Sequence, residues 1–298
     1  LGSMPDTYGY EVPEQRAQDT LKRFFQGPVN MLDTSRNYAM GESEKRIGIA
    51  IKENGGWPEN FILSTKIDRN MDTLVLDKKR TRESIEESLK TLNVNSVDVL
   101  FLHDPEYVKD INDVTKKDGA IDELFKIKEE GLAKAVGLAM GKVDIMFPML
   151  KNWDFDVIIN HNRYTLLNRE ADEMYSYAHS KNISIFNAAP YAGGVLAKGP
   201  SNFKKITYQD ATEEKLAPAR EIEKVCKKYN VEMGAAALQF SMKDKRITST
   251  LCGVTSIQSI EKNLSWAKTS IPEDFWNEVL KLPYSTKDPE SEREFTPG

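Results

Sequence analysis

The sequence predicts a (β/α)8 barrel, a closed sheet of eight parallel strands ringed by helices. Three observations predict it. Short apolar runs alternate with amphipathic stretches along the whole 298-residue chain, the pattern of parallel strands joined by helical crossovers. The alternation repeats eight times, the number that closes a barrel. Three successive runs also end in, or just before, residues that handle protons or charge: Asp33 with Tyr38 close behind, then Lys66, then His103. In a barrel such ends open on one face, where the fold carries its chemistry. A doubly wound sheet is the alternative, but no Gly-x-Gly-x-x-Gly follows the first strand.

The elements run as follows. Leu1 to Met4 is read as the end of a native first strand whose leading residues are absent, followed by a Gly/Tyr loop. Pro13 opens a helix to Gln26, and Asn30–Asp33 is the second strand. Ser43 is expected to cap a helix to Asn54, and a Gly55-Gly56-Trp57-Pro58 turn leads into strand Phe61–Lys66. Helix Leu76–Leu92 precedes strand Val97–His103, and helix Ile121–Glu130, stopped by Gly131, precedes strand Ala133–Leu138. Helix Val143–Asn152 leads to strand Val157–Asn160, and helix Asn168–Lys181 to the seventh strand, Ile183–Ala188. Helices Lys215–Tyr229 and Gly234–Met242 precede the eighth strand, Ser249–Gly253, and helix Ser256–Ala267 follows it. No composition shift divides the chain, so residues 1–283 are expected to form a single barrel domain and 284–298 a charged, Pro-containing extension at its surface.

Composition narrows the function. Hydrophobic residues make up 40% of the chain, enough for a large core, and the net charge of -5 offers no footprint for nucleic acid or an anionic membrane. No run approaches the roughly 20 apolar residues of a membrane span. Two cysteines, Cys226 and Cys252, make no disulfide framework, which points to a reducing, cytoplasmic setting. With only three histidines and scattered cysteines, no metal site is expected.

Carbonyl reduction, or its reverse, needs a group that exchanges a proton with the substrate oxygen while hydride moves at the attached carbon. A free tyrosine, with a pKa near about 10, is poorly matched to neutral pH. A nearby ammonium favours the tyrosinate, and a carboxylate keeps that ammonium in place. Tyr38, Lys66 and Asp33 supply the set, and His103 is placed to orient the oxygen.

On these residues the chain resembles the aldo-keto reductase superfamily, with a tetrad of Asp33, Tyr38, Lys66 and His103 in family order. The resemblance extends through Asp33-Thr34-Ser35, Gly41-Glu42-Ser43-Glu44 and Leu102-His103-Asp104. It continues in Arg163-Tyr164-Thr165-Leu166-Leu167, Asn187-Ala188-Ala189-Pro190 with Gly194, and Gly253-Val254-Thr255-Ser256 with Asn263. Within the superfamily it is most similar to the branch of D-threo-aldose 1-dehydrogenase, L-fucose dehydrogenase and L-galactose dehydrogenase. That resemblance implies oxidation of the anomeric carbon of an aldose to a lactone, or a related reaction of a small aldehyde or alcohol. Pyridoxal 4-dehydrogenase, a broad NADPH-dependent carbonyl reductase and a non-catalytic nucleotide-sensing partner subunit are the alternatives. It implies a small-molecule substrate and a monomer or homodimer.

The resemblance also implies a nicotinamide dinucleotide along the loops after the last two strands. Its candidate contacts are Ala192, Gly193, Gly194 and Leu196, then Gly253, Thr255, Ser256, Ser259 and Asn263. Thr255 and Ser259 stand where relatives that take NADP place cations, so NAD is favoured, with NADP possible. Gly137-Leu138-Ala139-Met140 departs from the family's Ser-Asn carboxamide site, and Ala188 from its stacking tyrosine; Asn160 is the expected substitute for part of the carboxamide contact. Arg163 and Tyr164 are the expected substrate contacts. Tyr8, Tyr10, Trp57, Arg69 and Asp104 are expected to pack or face solvent, and His161 either lines the site or packs in its loop.

Overall fold

The protein is described by a computed structural model over residues 11–292. The first predicted strand, Tyr8 and Tyr10 lie outside the described residues. The chain folds as a (β/α)8 barrel. Seven described strands form one parallel sheet in the order β1 (Met31–Asp33), β2 (Ile62–Ile67), β3 (Val97–His103), β4 (Ala133–Met140), β5 (Val157–His161), β6 (Ser184–Ala188) and β9 (Ser249–Leu251). Between β6 and β9 the chain also makes a small antiparallel hairpin, β7 (Lys205–Ile206) and β8 (Gln209–Asp210).

Alternation along each strand sorts side chains into two cores. Val99, Phe101, Ala139, Val157, Ile159 and Phe186 fill the barrel interior. Their neighbours Leu100, Leu102, Leu138, Ile158 and Ile185 face outward into the layer between sheet and helices. That layer is covered by α1 (Glu14–Phe25), α2 (Glu42–Glu53), α3 (Lys78–Leu92), short α4 (Asn112–Thr115), α5 (Ala120–Glu129), α6 (Val143–Asn152), α7 (Asp172–Ser180), short α8 (Val195–Lys198), α9 (Glu213–Lys228), α10 (Met233–Met242), α11 (Ile257–Lys268) and α12 (Glu273–Val279). The first and late helices meet: Arg23 of α1 pairs with Glu261 of α11 at 2.6 Å, and Arg16 donates to the Thr255 carbonyl at 2.7 Å.

Several local expectations change. Gly41, with φ of 93°, occupies the N-cap of α2, and Ser43 inside the helix bonds Thr34 Oγ1 at 2.8 Å instead of capping. Asp77 caps α3 by accepting from the Arg80 amide at 2.8 Å. Helix α7 starts at Asp172, four residues later than expected, because Asn168 and Thr165 exchange backbone hydrogen bonds in a turn. The β7–β8 hairpin, α4 and α12 have no clear periodic signal in the sequence.

The loops leaving the strand ends are bent sharply. Asp104 after β3, Asn162 after β5 and Ala189 after β6 all have positive φ, of 46°, 62° and 54°. Non-glycine residues adopt this region sparingly, and such residues gather where a scaffold must aim side chains.

Gly48 marks a close approach between α2 and α3: a Cβ there would stand 2.0 Å from the Thr91 carbonyl oxygen. Gly→Ala ordinarily steadies a helix interior by about 0.5–1 kcal/mol, but the overlap should reverse the sign. Gly48→Ala is expected to lose about 1–3 kcal/mol, read as a lower urea midpoint at unchanged slope; an unaltered or raised midpoint would refute the close packing.

Candidate active site

Three strands and one loop build the mouth of the barrel. Asp33 ends β1 on the same parity as Met31, which packs against the interior core. Lys66 lies on β2 and is 2% exposed. Its Nζ donates to Asp33 Oδ2 at 2.6 Å and to the Thr34 carbonyl at 2.6 Å, while Ser64 Oγ donates to Asp33 Oδ1 at 2.7 Å. An ammonium taken from water needs such partners. Tyr38 follows a turn held by its own amide on the Ser35 carbonyl. Its ring centroid lies 4.7 Å from Lys66 Nζ and meets the His103 ring edge-on at 5.7 Å. His103 ends β3 on the interior parity of Val99 and Phe101. The four residues singled out by sequence are therefore brought together.

The electrostatics of the group differ from the expectation in one respect. Burial lowers the proton affinity of Lys66, but Asp33 and Tyr38 outweigh it and hold the lysine above its ordinary value. Desolvation raises the Tyr38 phenol, Lys66 pulls it down and Asp33 pushes it up; the result lies well above an ordinary tyrosine, not below it. The residue is 37% exposed at the mouth, yet the protein around its hydroxyl penalises the phenolate. The Tyr38 phenol thus carries its proton at neutral pH and is a weaker acid than a free tyrosine.

Sequence reasoning missed Asp68. It is fully buried two residues beyond Lys66, and Oδ1 lies 2.5 Å from His103 Nδ1. Oδ2 accepts from Ser35 Oγ at 2.6 Å and from the Asn37 amide at 3.0 Å. Its signal was the period of two: Ser64, Lys66 and Asp68 share one parity. Also unforeseen is Glu106, whose Oε1 accepts from the Gly141 amide at 2.9 Å while Oε2 is buried without a hydrogen bond. Burial, with Asp104 adding to it, pushes this carboxyl up to about 8.

Other expectations are corrected by placement. Asn160 shares parity with outward-facing Ile158, and its Nδ2 donates to the Met140 and Gly141 carbonyls at 3.0 and 2.9 Å, so it faces the helix layer rather than a cofactor in the mouth. His161, one residue on, takes the interior parity. Arg163 is 1% exposed, and its guanidinium is committed to Glu290, to Asp288 at 2.5 Å and to the His161 carbonyl at 3.1 Å. It anchors the late segment rather than a substrate. Around it the Arg169 amide donates to the Ser285 carbonyl and the Ser285 amide to Leu167. Tyr164 is also turned away: its hydroxyl donates to Asp244 Oδ2 at 2.6 Å, and its ring packs on Tyr175 and Phe240.

The loop after β6 fits a pyrophosphate less well than expected. The amides of Ala192, Gly194 and Leu196 already donate to carbonyls of Ala189, Tyr191 and Tyr191. Gly193, with φ of 74°, seats the hairpin, a Cβ there lying 2.8 Å from the Thr207 amide nitrogen, and Gly194, with φ of 118°, packs on Phe203, a Cβ there lying 3.2 Å from its ring. At the start of α11 the Thr255 and Ser256 amides donate to Ser259 Oγ, and the Ser259 amide donates to Ser256 Oγ, so these amides are engaged as well. Open space surrounds the Cβ position of Gly253, and Ser256 with Ser259 makes a capping box at the start of a twelve-residue helix. Arg16 Nη2 reaches Thr255 Oγ1 at 3.2 Å, and Asn263 Oδ1 accepts from the Tyr191 hydroxyl at 2.6 Å.

Among the described residues no cluster of His, Cys, Asp or Glu is arranged to hold a metal, both cysteines are free, and no helix is long and apolar enough to cross a membrane.

The Arg163 anchor yields a prediction. Removing one partner of a buried ion pair typically costs about 3–5 kcal/mol, so Arg163→Met should destabilise the fold and accelerate hydrogen exchange at the Arg169 and Ser285 amides before other strand-end amides. Unchanged protection at both would show that the late segment is held some other way.

Comparison with known proteins gives a consistent pattern. A family model described as the aldo/keto reductase family matches residues 1–282. The chain is 29% identical to L-galactose dehydrogenase of Arabidopsis thaliana over 258 residues, covering 85% of this chain and 78% of the relative. It is 27% identical to D-threo-aldose 1-dehydrogenase of a Pseudomonas species, covering 90% and 88%. In structure it is similar to an aldo-keto reductase from Bacillus halodurans in its holo form, with a TM-score of 0.77, 20% identity, and 95% and 92% of the two chains covered.

Proposed function

The chain belongs to the aldo/keto reductase family and is an NAD(P)-dependent oxidoreductase acting on a small molecule, and from that premise we propose that it is an aldose dehydrogenase oxidising C1 of a sugar to the lactone. The observation that carries the reading is the Asp33–Lys66 pair at 2.6 Å beneath Tyr38, with His103 against the same ring. The similarity to two sugar dehydrogenases supports the substrate class.

In this reading Tyr38 exchanges the proton of the substrate oxygen. Lys66, neutralised by Asp33, stabilises the tyrosinate left after donation, and His103 holds the oxygen through a ring nitrogen. The bound nicotinamide supplies the hydride acceptor, or the donor in the reverse direction. Gly253, Thr255, Ser256, Ser259 and Asn263 are proposed to hold the nucleotide end. The raised proton affinity keeps the Tyr38 phenol protonated at neutral pH, the form reduction requires, and makes it a weak acid, so donation depends on Lys66 to stabilise the phenolate that is left.

NAD is the proposed coenzyme, because Thr255 and Ser259 offer hydroxyls instead of cations. Arg16 against Thr255 favours a second reading, an NADP-using carbonyl reductase, since a guanidinium recognises a 2′-phosphate well.

The test is the initial rate of NADH and NADPH formation with L-fucose, D-arabinose, L-galactose, L-glucose and pyridoxal. A sugar should give rapid NADH formation, and Tyr38→Phe should lose about 10²- to 10⁴-fold in rate while keeping the fold. Silence with every sugar, together with NADPH-linked reduction of simple aldehydes that Arg16→Ala weakens, would replace the first reading by the second.

A further inference from the structure

Tyr38, Lys66 and Asp33 leave one buried group of the mouth unexplained. Asp68 is a fully buried carboxylate one residue beyond the strand that carries Lys66, and a carboxylate in that position needs compensation. It has three hydrogen-bond partners: His103 Nδ1 at 2.5 Å, Ser35 Oγ at 2.6 Å and the Asn37 amide at 3.0 Å. Ser35 Oγ also lies 3.2 Å from His103 Nδ1. One ring nitrogen of His103 is therefore enclosed by an acceptor oxygen and a hydroxyl, and the other, Nε2, is the nitrogen left for the mouth.

We propose that Asp68 is a positioning residue for the reaction: by accepting from His103 Nδ1–H it fixes the ring tautomer and supports an Nε2–H directed at the substrate oxygen. This rests on the reading of the mouth as an oxidoreductase site. A neutral imidazole with its proton at Nδ1 offers only a lone pair at Nε2, so Nε2 donates only when the ring is the cation. The charged groups around the ring decide that state. Asp68 reaches it from beyond β2, Asp104 Oδ2 stands 3.9 Å from Nε2 on the loop after β3, Lys66 approaches from β2, Tyr38 from the loop after β1, and His161 from β5. Burial disfavours the cation and Lys66 opposes it, but Asp104 and Asp68 prevail and raise the proton affinity of His103 above that of free histidine. The Asp68 carboxyl is lowered in return by the His103 charge, against its own burial.

The chemical consequence concerns the substrate oxygen. In reduction Tyr38 gives its proton to the carbonyl oxygen as hydride reaches the carbon, and His103 donates a hydrogen bond to that oxygen without surrendering its proton. Two donors then meet the charge that develops there. In oxidation the same hydrogen bond holds the hydroxyl while Tyr38, as tyrosinate, takes its proton.

The experiment combines histidine NMR with a pH profile. With His103→Gln for assignment, nitrogen-15 spectra of the wild-type protein should show His103 titrating above about 6.5, the free-histidine value, and retaining Nδ1–H when neutral. The Nε2–H tautomer would overturn the proposal. This measurement needs no variant at Asp68, which matters because Asp68 also holds the turn leading to Tyr38. In Asp68→Asn the His103 midpoint should fall, and an unmoved midpoint would refute the assignment. For reduction of 4-nitrobenzaldehyde with NADPH or NADH, kcat/KM should decline as pH rises through the His103 midpoint. Asp68→Asn should shift that limb to lower pH and cut kcat about 10- to 100-fold, as for loss of an outer partner of a working imidazole, with coenzyme Kd unchanged and partial recovery in Asp68→Glu. Tyr38→Phe separates the two readings. If it retains the wild-type rate, the oxidoreductase assignment of the mouth fails; if it is inactive while Asp68→Asn keeps both limb and kcat, only the role of Asp68 fails.

Discussion

A lysine ammonium buried inside a protein must be neutralised where it stands, and the mouth of this barrel is organised by that requirement. Lys66 meets Asp33 and the Thr34 carbonyl, both at the end of the neighbouring strand β1. The contact is possible only because the parallel register sets Asp33 opposite Ser64, two residues short of Lys66. Once the pair is formed, the turn from Thr34 to Tyr38 has a fixed origin, and the tyrosine ring comes to lie over the ammonium. Breaking either partner would leave an uncompensated charge in the interior, which is costlier than losing the pair as a whole.

A second carboxylate, Asp68, continues the logic one strand further. It ties the Ser35–Asn37 turn to the end of β3 through His103, so three adjacent strand ends are crosslinked by side chains as well as by backbone. Two acids and two bases alternate across them: Asp33, Lys66, Asp68 and His103. Each charge is flanked by its opposite, so a dense set of ionisable groups is tolerated in a poorly solvated mouth.

Much of this was legible in the sequence because it depends on periodicity. The strand runs, their order and the positions of Asp33, Lys66 and His103 follow from alternating apolar residues, and the structure keeps the seven predicted strands that fall within the described residues to within a residue or two. What was not legible depends on contacts between distant segments. Arg163 looked like a substrate contact because nothing nearby in sequence announces Asp288 and Glu290, more than a hundred residues on. Gly193 and Gly194 looked like a phosphate cradle, whereas a hairpin with no periodic signal packs against Gly193 and the Phe203 ring against Gly194. Asn160 lies one residue of parity away from the barrel interior, which in a strand is the difference between mouth and helix layer. Arg16 escaped notice because its neighbour Thr255 lies 239 residues away.

The Arg163 anchor has a consequence for the order in which the molecule is completed. Chains emerge from synthesis N-terminal part first, so β5 and its loop exist well before Asp288 and Glu290 are made. Until then the guanidinium lacks the two carboxylates that neutralise it in the folded protein. The late segment thus works as a latch: strands can pair early, but the contacts that fix Arg163 and approach His161 form only once Asp288 and Glu290 are present.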